Sequence, residues 1–265
     1  MRLICLGILF VVGCQDPAPP PEPSTQQSET ASVDPVVTPE GRRLLRIHRL
    51  PVALDGGEAA MGYVDDSAIG GELRDRLFAN GLRVGMGRMS DLPAVIDLAG
   101  AEMMTTRAVV AAGPGPQAFT LNVPDDIARP RESLTLFWHN GDGLSGRTFG
   151  PSLPTLGVTY STAPTAQADA TRMTFVPRVE TRVGRTTFLP TGLDRTMTQV
   201  VDESLAGAGF TVDVPDGRFL LIAASPEASL PTSLGNQLLR LPDRDGEMML
   251  VIVPGRVALM PTAAR

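Results

Sequence analysis

Few side chains in this sequence could carry chemistry. Histidine occurs twice, as His48 and His139, and all 23 basic residues are arginine. Without lysine, Schiff-base catalysis, a lysine general base and a P-loop lysine all fall away. Each histidine lies in a segment with a strand pattern, which favours a structural or surface role. A Ser-His-Asp triad would need one of them near a serine on a sharp turn, and the sequence has no GxSxG. The 29 acidic residues could hide a glycosidase pair, yet no cluster marks one. Sugar clefts present several aromatic platforms, and Trp138, Tyr63 and Tyr160 are a poor supply. Gly141-Asp142-Gly143-Leu144-Ser145-Gly146 matches GxGxxG and follows a strand-like run. A dinucleotide site also needs a helix opening at its end, so that N–H groups face the pyrophosphate. Arg147-Thr148-Phe149-Gly150-Pro151 is no helix start, so a hairpin turn is expected. Asn140, Asp142 and Ser145 lack the ligand spacing and closing glutamate of a calcium loop. The expected site list therefore contains no catalytic, cofactor or metal residue.

Both cysteines, Cys5 and Cys14, fall within the first fourteen residues, MRLICLGILFVVGC. One arginine, Arg2, precedes an apolar run from Leu3 to Val12. That run is about half the roughly 20 residues needed to cross a bilayer, and it fits the apolar part of a secretory signal. Val11-Val12-Gly13-Cys14 resembles the bacterial lipobox. The resemblance implies a diacylglycerol thioether on Cys14, cleavage before it and acylation of the new N-terminus. Gln15 in the second mature position, in place of Asp, implies the periplasmic face of the outer membrane. Residues 1–13 are thus expected to be a signal peptide. With both cysteines in this region, the mature body has no thiol for a disulfide, a zinc site or a nucleophile.

Positions 14–41 are expected to be a tether. Gln15 to Glu40 is rich in proline, serine, threonine and acids, with no aromatic residue and no arginine. It cannot bury enough apolar surface to offset its ordering entropy. A polyproline chain of that length would reach roughly 75–80 Å, and a flexible coil roughly 28 Å. The net charge of −6 becomes −7 once Arg2 is removed with the signal. So acidic a mature chain has no general electrostatic reason to bind nucleic acid.

About 225 residues remain to fold. Between 42 and 101 the pattern predicts a small β-α-β-α unit. Leu44–Ala53 mixes apolar and basic residues as a strand does. Arg42, Arg43, Arg46 and Arg49 read as a solvated strand edge, where charge discourages edge pairing. Asp65, Asp66 and Ser67 offer N-caps to a helix carrying Ile69, Leu73 and Leu77, with Glu72 and Arg76 on its wet side and Asn80-Gly81 as its stop. Leu82, Val84 and Met86 alternate as a strand, and Leu92–Ala99 reads as a second helix behind Ser90-Asp91. From 102 to 265, short β-branched runs alternate with turn signals, which predicts an antiparallel β-sandwich or curled sheet. RMTFVPRV and RTTFLP read as separate strands, Ala163–Ala170 as a loop, and Asn140-Gly141 and Pro215-Asp216-Gly217 as hairpin turns. The fold class expected is α+β, mainly β.

Two stretches carry a further resemblance. Glu72–Gly87 (ELRDRLFANGLRVGMG), with Pro215–Ala224 and Ser233-Leu234-Gly235, resembles a family of uncharacterised planctomycete-type envelope proteins. Met173–Arg178 and Phe210–Ala224 are similar to β-hairpins of secretin core domains, although a long pair of pore-lining strands is not recognisable. The expected function is a non-catalytic envelope scaffold or interaction module, accessory to a secretion or assembly complex. Its contacts would be the membrane, through the lipid on Cys14, and an envelope protein. An envelope hydrolase, or a module binding a small molecule or cell-wall polymer, are the alternatives.

Overall fold

The computed structural model describes residues 42–54, 56–98, 105–110, 115–123, 130–163, 170–188, 194–205, 207–241 and 245–257. The signal segment, Cys14 and the 14–41 tether lie outside the described residues.

The described chain is α+β and mainly β, with antiparallel sheets and few helices. A six-stranded sheet has the order β2-β3-β12-β13-β1-β4, built from Val64–Asp65, Leu82–Arg88, Arg218–Ala224, Gly246–Val257, Arg42–Ala53 and Thr105–Val110. A second sheet contains β5 (Gln117–Leu121), β8 (Ser152–Thr162), β9 (Ala170–Phe188), β10 (Asp194–Ser204) and β11 (Phe210–Pro215). Here β9 pairs with β8 on one side and with β11 and β10 on the other. A hairpin of β6 (Leu134–His139) and β7 (Leu144–Phe149) stands apart from both sheets.

The apolar pattern explains this layering. Strand β12, Arg-Phe-Leu-Leu-Ile-Ala-Ala, is buried on both faces. Leu220 and Ile222 pack with Met173, Phe175, Tyr160 and Val212 of the second sheet. Phe219 and Leu221 pack the other way, with Met61 of α1 (Gly56–Met61) and Val95 of α3 (Leu92–Asp97). A strand sandwiched between two layers reads as a continuous apolar run instead of an alternating one. Strand β13 does the same with Met249 and Val251 on one side and Leu250 and Ile252 on the other.

The segments 42–101 and 102–265 share the six-stranded sheet, because β1 pairs with both β13 and β4, and β3 pairs with β12. Strand β1 is therefore interior. Its arginines do not form a solvated edge. Arg43 and Arg49 are buried, and the Arg43 guanidinium donates to Asp216 Oδ1 at 2.9 Å and to the Ala170 carbonyl at 3.2 Å. Arg46 is exposed.

Other local expectations shift for identifiable reasons. The helix expected behind Asp65-Asp66-Ser67 is α2, Gly71–Ala79, and it starts later. Asp65 instead pairs with Met86 in β2, and its carboxylate accepts from Ser67 N at 2.9 Å and Ser67 Oγ at 2.6 Å. That local turn competes with helix entry. Arg76, expected to pair with Glu72, donates to the Gly209 carbonyl at 3.2 Å. The run RMTFVPRV and the RTTF of RTTFLP belong to one 19-residue strand, β9, paired with β10 from Arg178 to Phe188, and positions 189–190 lie outside the described residues. The structure thus holds one long strand pair that the sequence concealed. Pro215-Asp216-Gly217 does not close a hairpin: β11 belongs to one sheet and β12 to the other, so the turn is a corner between sheets. Of the expected loop Ala163–Ala170, the two ends meet, with Ala163 N donating to the Ala170 carbonyl at 2.9 Å, and 164–169 lie outside the described residues.

Candidate functional site: an apolar cleft with an acidic rim

Three chain stretches distant in sequence are joined at the end of α2. The helix stops at Asn80-Gly81 as expected, with Gly81 at φ 82°. Asn80 is 1% exposed, and its amide reaches β6. Its Nδ2 donates to the His139 carbonyl at 3.0 Å, and His139 N donates to its Oδ1 at 2.6 Å. One side-chain amide thus gives β6 what a neighbouring strand would give. Next to it, Phe137 N donates to the Thr232 carbonyl at 2.8 Å. Gly235 N, in the first turn of α4 (Leu234–Leu239), donates to the Asn80 carbonyl at 2.8 Å. Ser225 N donates to the Gly81 carbonyl at 3.0 Å, and Ser225 Oγ donates to the Phe78 carbonyl at 2.9 Å. The approach is so close that a Cβ on Gly235 would fall 1.9 Å from the Gly81 oxygen. Asn80-Gly81 and Ser233-Leu234-Gly235, which carried the family resemblance, are therefore two halves of one junction.

The outer side chains of this junction line a cleft of about 610 Å³. Its apolar part is Phe78 from α2, Phe137 from β6, Leu144 from β7 and Leu230 from the loop before α4. These remain 38%, 44%, 63% and 56% exposed. Single exposed apolar residues need no explanation, whereas a convergent apolar group marks an interaction surface. The Phe137 ring is fixed, because it lies against Gly146, where a Cβ would come within 2.4 Å of its Cδ1. Strand β7 reaches β10 through an exposed ion pair between Arg147 and Glu203, and within the strand the Arg147 guanidinium lies 5.1 Å from the Phe149 ring centroid.

The rim is acidic. Asp75 and Glu227 line the cleft, and no lysine or arginine does. Asp75 has only Arg74, with Nε 3.7 Å from its Oδ1, and both side chains are exposed. Glu227 has no ion pair among the described residues. His139, Thr232 and Ser233 complete the polar lining. Ser233 Oγ accepts from Asn236 N at 3.2 Å as the N-cap of α4. No hydrogen bond joins the His139 ring to Asp75, Glu227 or Ser233 among the described residues.

The other chemical candidates are scattered. His48 sits on β1 opposite Thr106, with Nδ1 2.9 Å from Thr106 Oγ1. Burial, and then Arg46, hold its pKa below the ordinary histidine value. The GxGxxG stretch is the β6–β7 turn: Asn140 Oδ1 accepts from Asp142 N at 3.0 Å and Gly143 N at 3.1 Å, and β7 follows it, not a helix. Of the three calcium-loop candidates, Asn140 Nδ2 donates to Ser145 Oγ at 3.0 Å. Among the described residues no three of His, Cys, Asp and Glu form a group able to hold a metal ion. Tyr160 is buried, Trp138 packs against the core and Tyr63 is exposed, so these three do not share one aromatic platform. No helix among the described residues is long and apolar enough to cross a membrane.

Sequence reading missed the cleft. Phe78 gave a weak signal, since it falls one residue off the Ile69-Leu73-Leu77 stripe. Leu144 and Leu230 lie in a turn and a loop, and nothing local brings them together. No family model, curated protein or solved structure matches the chain.

Proposed function

We propose that this chain is a lipid-anchored envelope protein whose β-rich body serves as a non-catalytic interaction module, with the apolar cleft as its docking surface. The observation that carries the docking role is the convergence of Phe78, Phe137, Leu144 and Leu230, all exposed, on one cleft. The anchor rests on the likeness of Val11-Val12-Gly13-Cys14 to a lipobox and on the apolar run before it. Two acyl chains or more would hold the protein durably at a membrane, and the 14–41 tether would hold the body away from it.

The test compares the wild-type chain with the double substitution Leu144→Asp and Leu230→Asp, both recovered from solubilised envelopes. A protein partner is expected with the wild type and is lost with the double variant, whose circular dichroism and Tm stay near wild type. Identical recovery from both removes the docking role. Cys14→Ser tests the anchor separately: fatty-acid incorporation and membrane fractionation are expected to disappear, and their persistence would refute lipidation.

One observation favours a second reading. The cleft gathers His139 with Asp75 and Glu227, the kind of grouping a hydrolase acting through histidine and carboxylates would use. Activity on an envelope polymer that is abolished by His139→Gln would support it. Retention of that activity in the variant would end it.

A further inference from the structure

Resting on the docking role above, we propose that the occupant of the cleft is a short cationic, apolar peptide segment of another protein, with a few apolar side chains flanked by lysine or arginine. The apolar half of this occupant follows from the lining, where Phe137 and Leu230 are 44% and 56% exposed. A space of about 610 Å³ lies within the usual range of ligand pockets. It takes a few side chains and not a folded domain.

The cationic half follows from the rim. Glu227 stands without an ion pair among the described residues, and Asp75 shares only the long exposed contact with Arg74. The guanidinium of Arg76, also on α2, donates to the Gly209 carbonyl and does not line the cleft. An open cleft with carboxylates of one sign focuses its field on an approaching cation and raises the association rate, more than it adds affinity. The same rim repels an anionic bilayer surface, so the cleft is set against the membrane beside which the protein is held. A second copy of this chain is a poor occupant as well. Its own basic and apolar stretch, Arg43 to Ala53, is hydrogen-bonded on both sides by β13 and β4, with Arg43 and Arg49 buried.

The full chain is titrated against two labelled peptides, acetyl-KLFKLLK-amide and acetyl-ELFELLE-amide, with anisotropy read at low and high salt. The cationic peptide is expected to bind at least tenfold more tightly than the anionic one, and to weaken as salt rises. Leu230→Ser, at an exposed loop position, is expected to weaken it about tenfold. Glu227→Gln is expected to slow association several-fold and flatten the salt dependence. Equal affinity for the two peptides, preference for the anionic one, or indifference to both substitutions overturns the proposal. Vesicles of phosphatidylcholine with phosphatidylglycerol that bind wild type but not Leu230→Ser would name a membrane in place of a peptide. Failure of both peptides, while the double aspartate variant still loses its envelope partner, overturns the occupant and leaves the docking role standing. Peptide binding with no cleft-dependent partner in envelopes does the reverse.

Discussion

At the scale of single residues, the two most telling side chains are Asn80 and His48. Asn80 is buried and makes both of its hydrogen bonds to the backbone of His139. Alanine there strands a donor and an acceptor, and a buried polar group left without its partner costs about 1–3 kcal/mol. Asn80→Ala is therefore expected to lower stability by about 2 kcal/mol or more in denaturant unfolding. His48 carries a pH signature. Its folded pKa is depressed, first by burial and then by Arg46, so the unfolded chain binds the proton more readily than the folded one. The stability it contributes is fully present above the unfolded value of about 6.5, and is lost as pH falls from there through the folded value. Tm scans from pH 8 to 4.5 are expected to show a fall setting in below about 6.5. His48→Gln should be less steep over that window, and an identical pair of profiles would remove the effect.

At the scale of elements, the β6–β7 hairpin is the part the proposed docking depends on, and it belongs to neither sheet. It is held by the Asn80 amide, by Phe137 N on Thr232 and by Arg147 on Glu203. An isolated hairpin is marginal in water, so its amides are expected to exchange hydrogen faster than those of β12 and β13, and faster still in Asn80→Ala. The junction beneath it has no slack. Gly235→Ala would put a Cβ 1.9 Å from a backbone oxygen, whereas at Gly150 a Cβ meets nothing within 4 Å. Gly235→Ala is expected to lower Tm by many degrees or abolish folding, with Gly150→Ala close to wild type. How much of this was legible varies by element. Strands β12 and β13 were plain, because unbroken apolar runs bounded by turns have few other solutions. Strand β10 was hidden, since DRTMTQVVDES lies at an edge and carries little apolar pattern. The β9 strand was cut in two at 180–184, a largely polar stretch that ends in Gly184, and the β11–β12 corner looked like a hairpin because turn chemistry does not say which sheet each strand joins. The helix stop at Asn80-Gly81 was legible, while the reach of Asn80 across to His139, 59 positions away, was not.

At the scale of the whole molecule, two cores divide the work. One lies between the two sheets, and the other lies under α1 and α3 on the far face of the six-stranded sheet. Of the large apolar side chains left exposed among the described residues, Phe78, Phe137, Leu144 and Leu230 stand out because they converge on one cleft. Most of the net charge of −6 lies in the 14–41 tether, which has acids and no arginine, so the sign of the cleft is set locally by Asp75 and Glu227. Its composition also dictates how a partner must be caught: without lysine, amine-reactive crosslinkers have nothing on the body to attack. The most direct test therefore places a photoreactive phenylalanine analogue, one site at a time, at Leu144 and Leu230 in the cleft and at Met89 and Glu132 elsewhere, in intact cells with Cys14 in place. Docking through the cleft predicts a crosslinked protein of one size from Leu144 and Leu230 and none from Met89 or Glu132. Equal crosslinking from all four positions, or none from the two in the cleft, would contradict it.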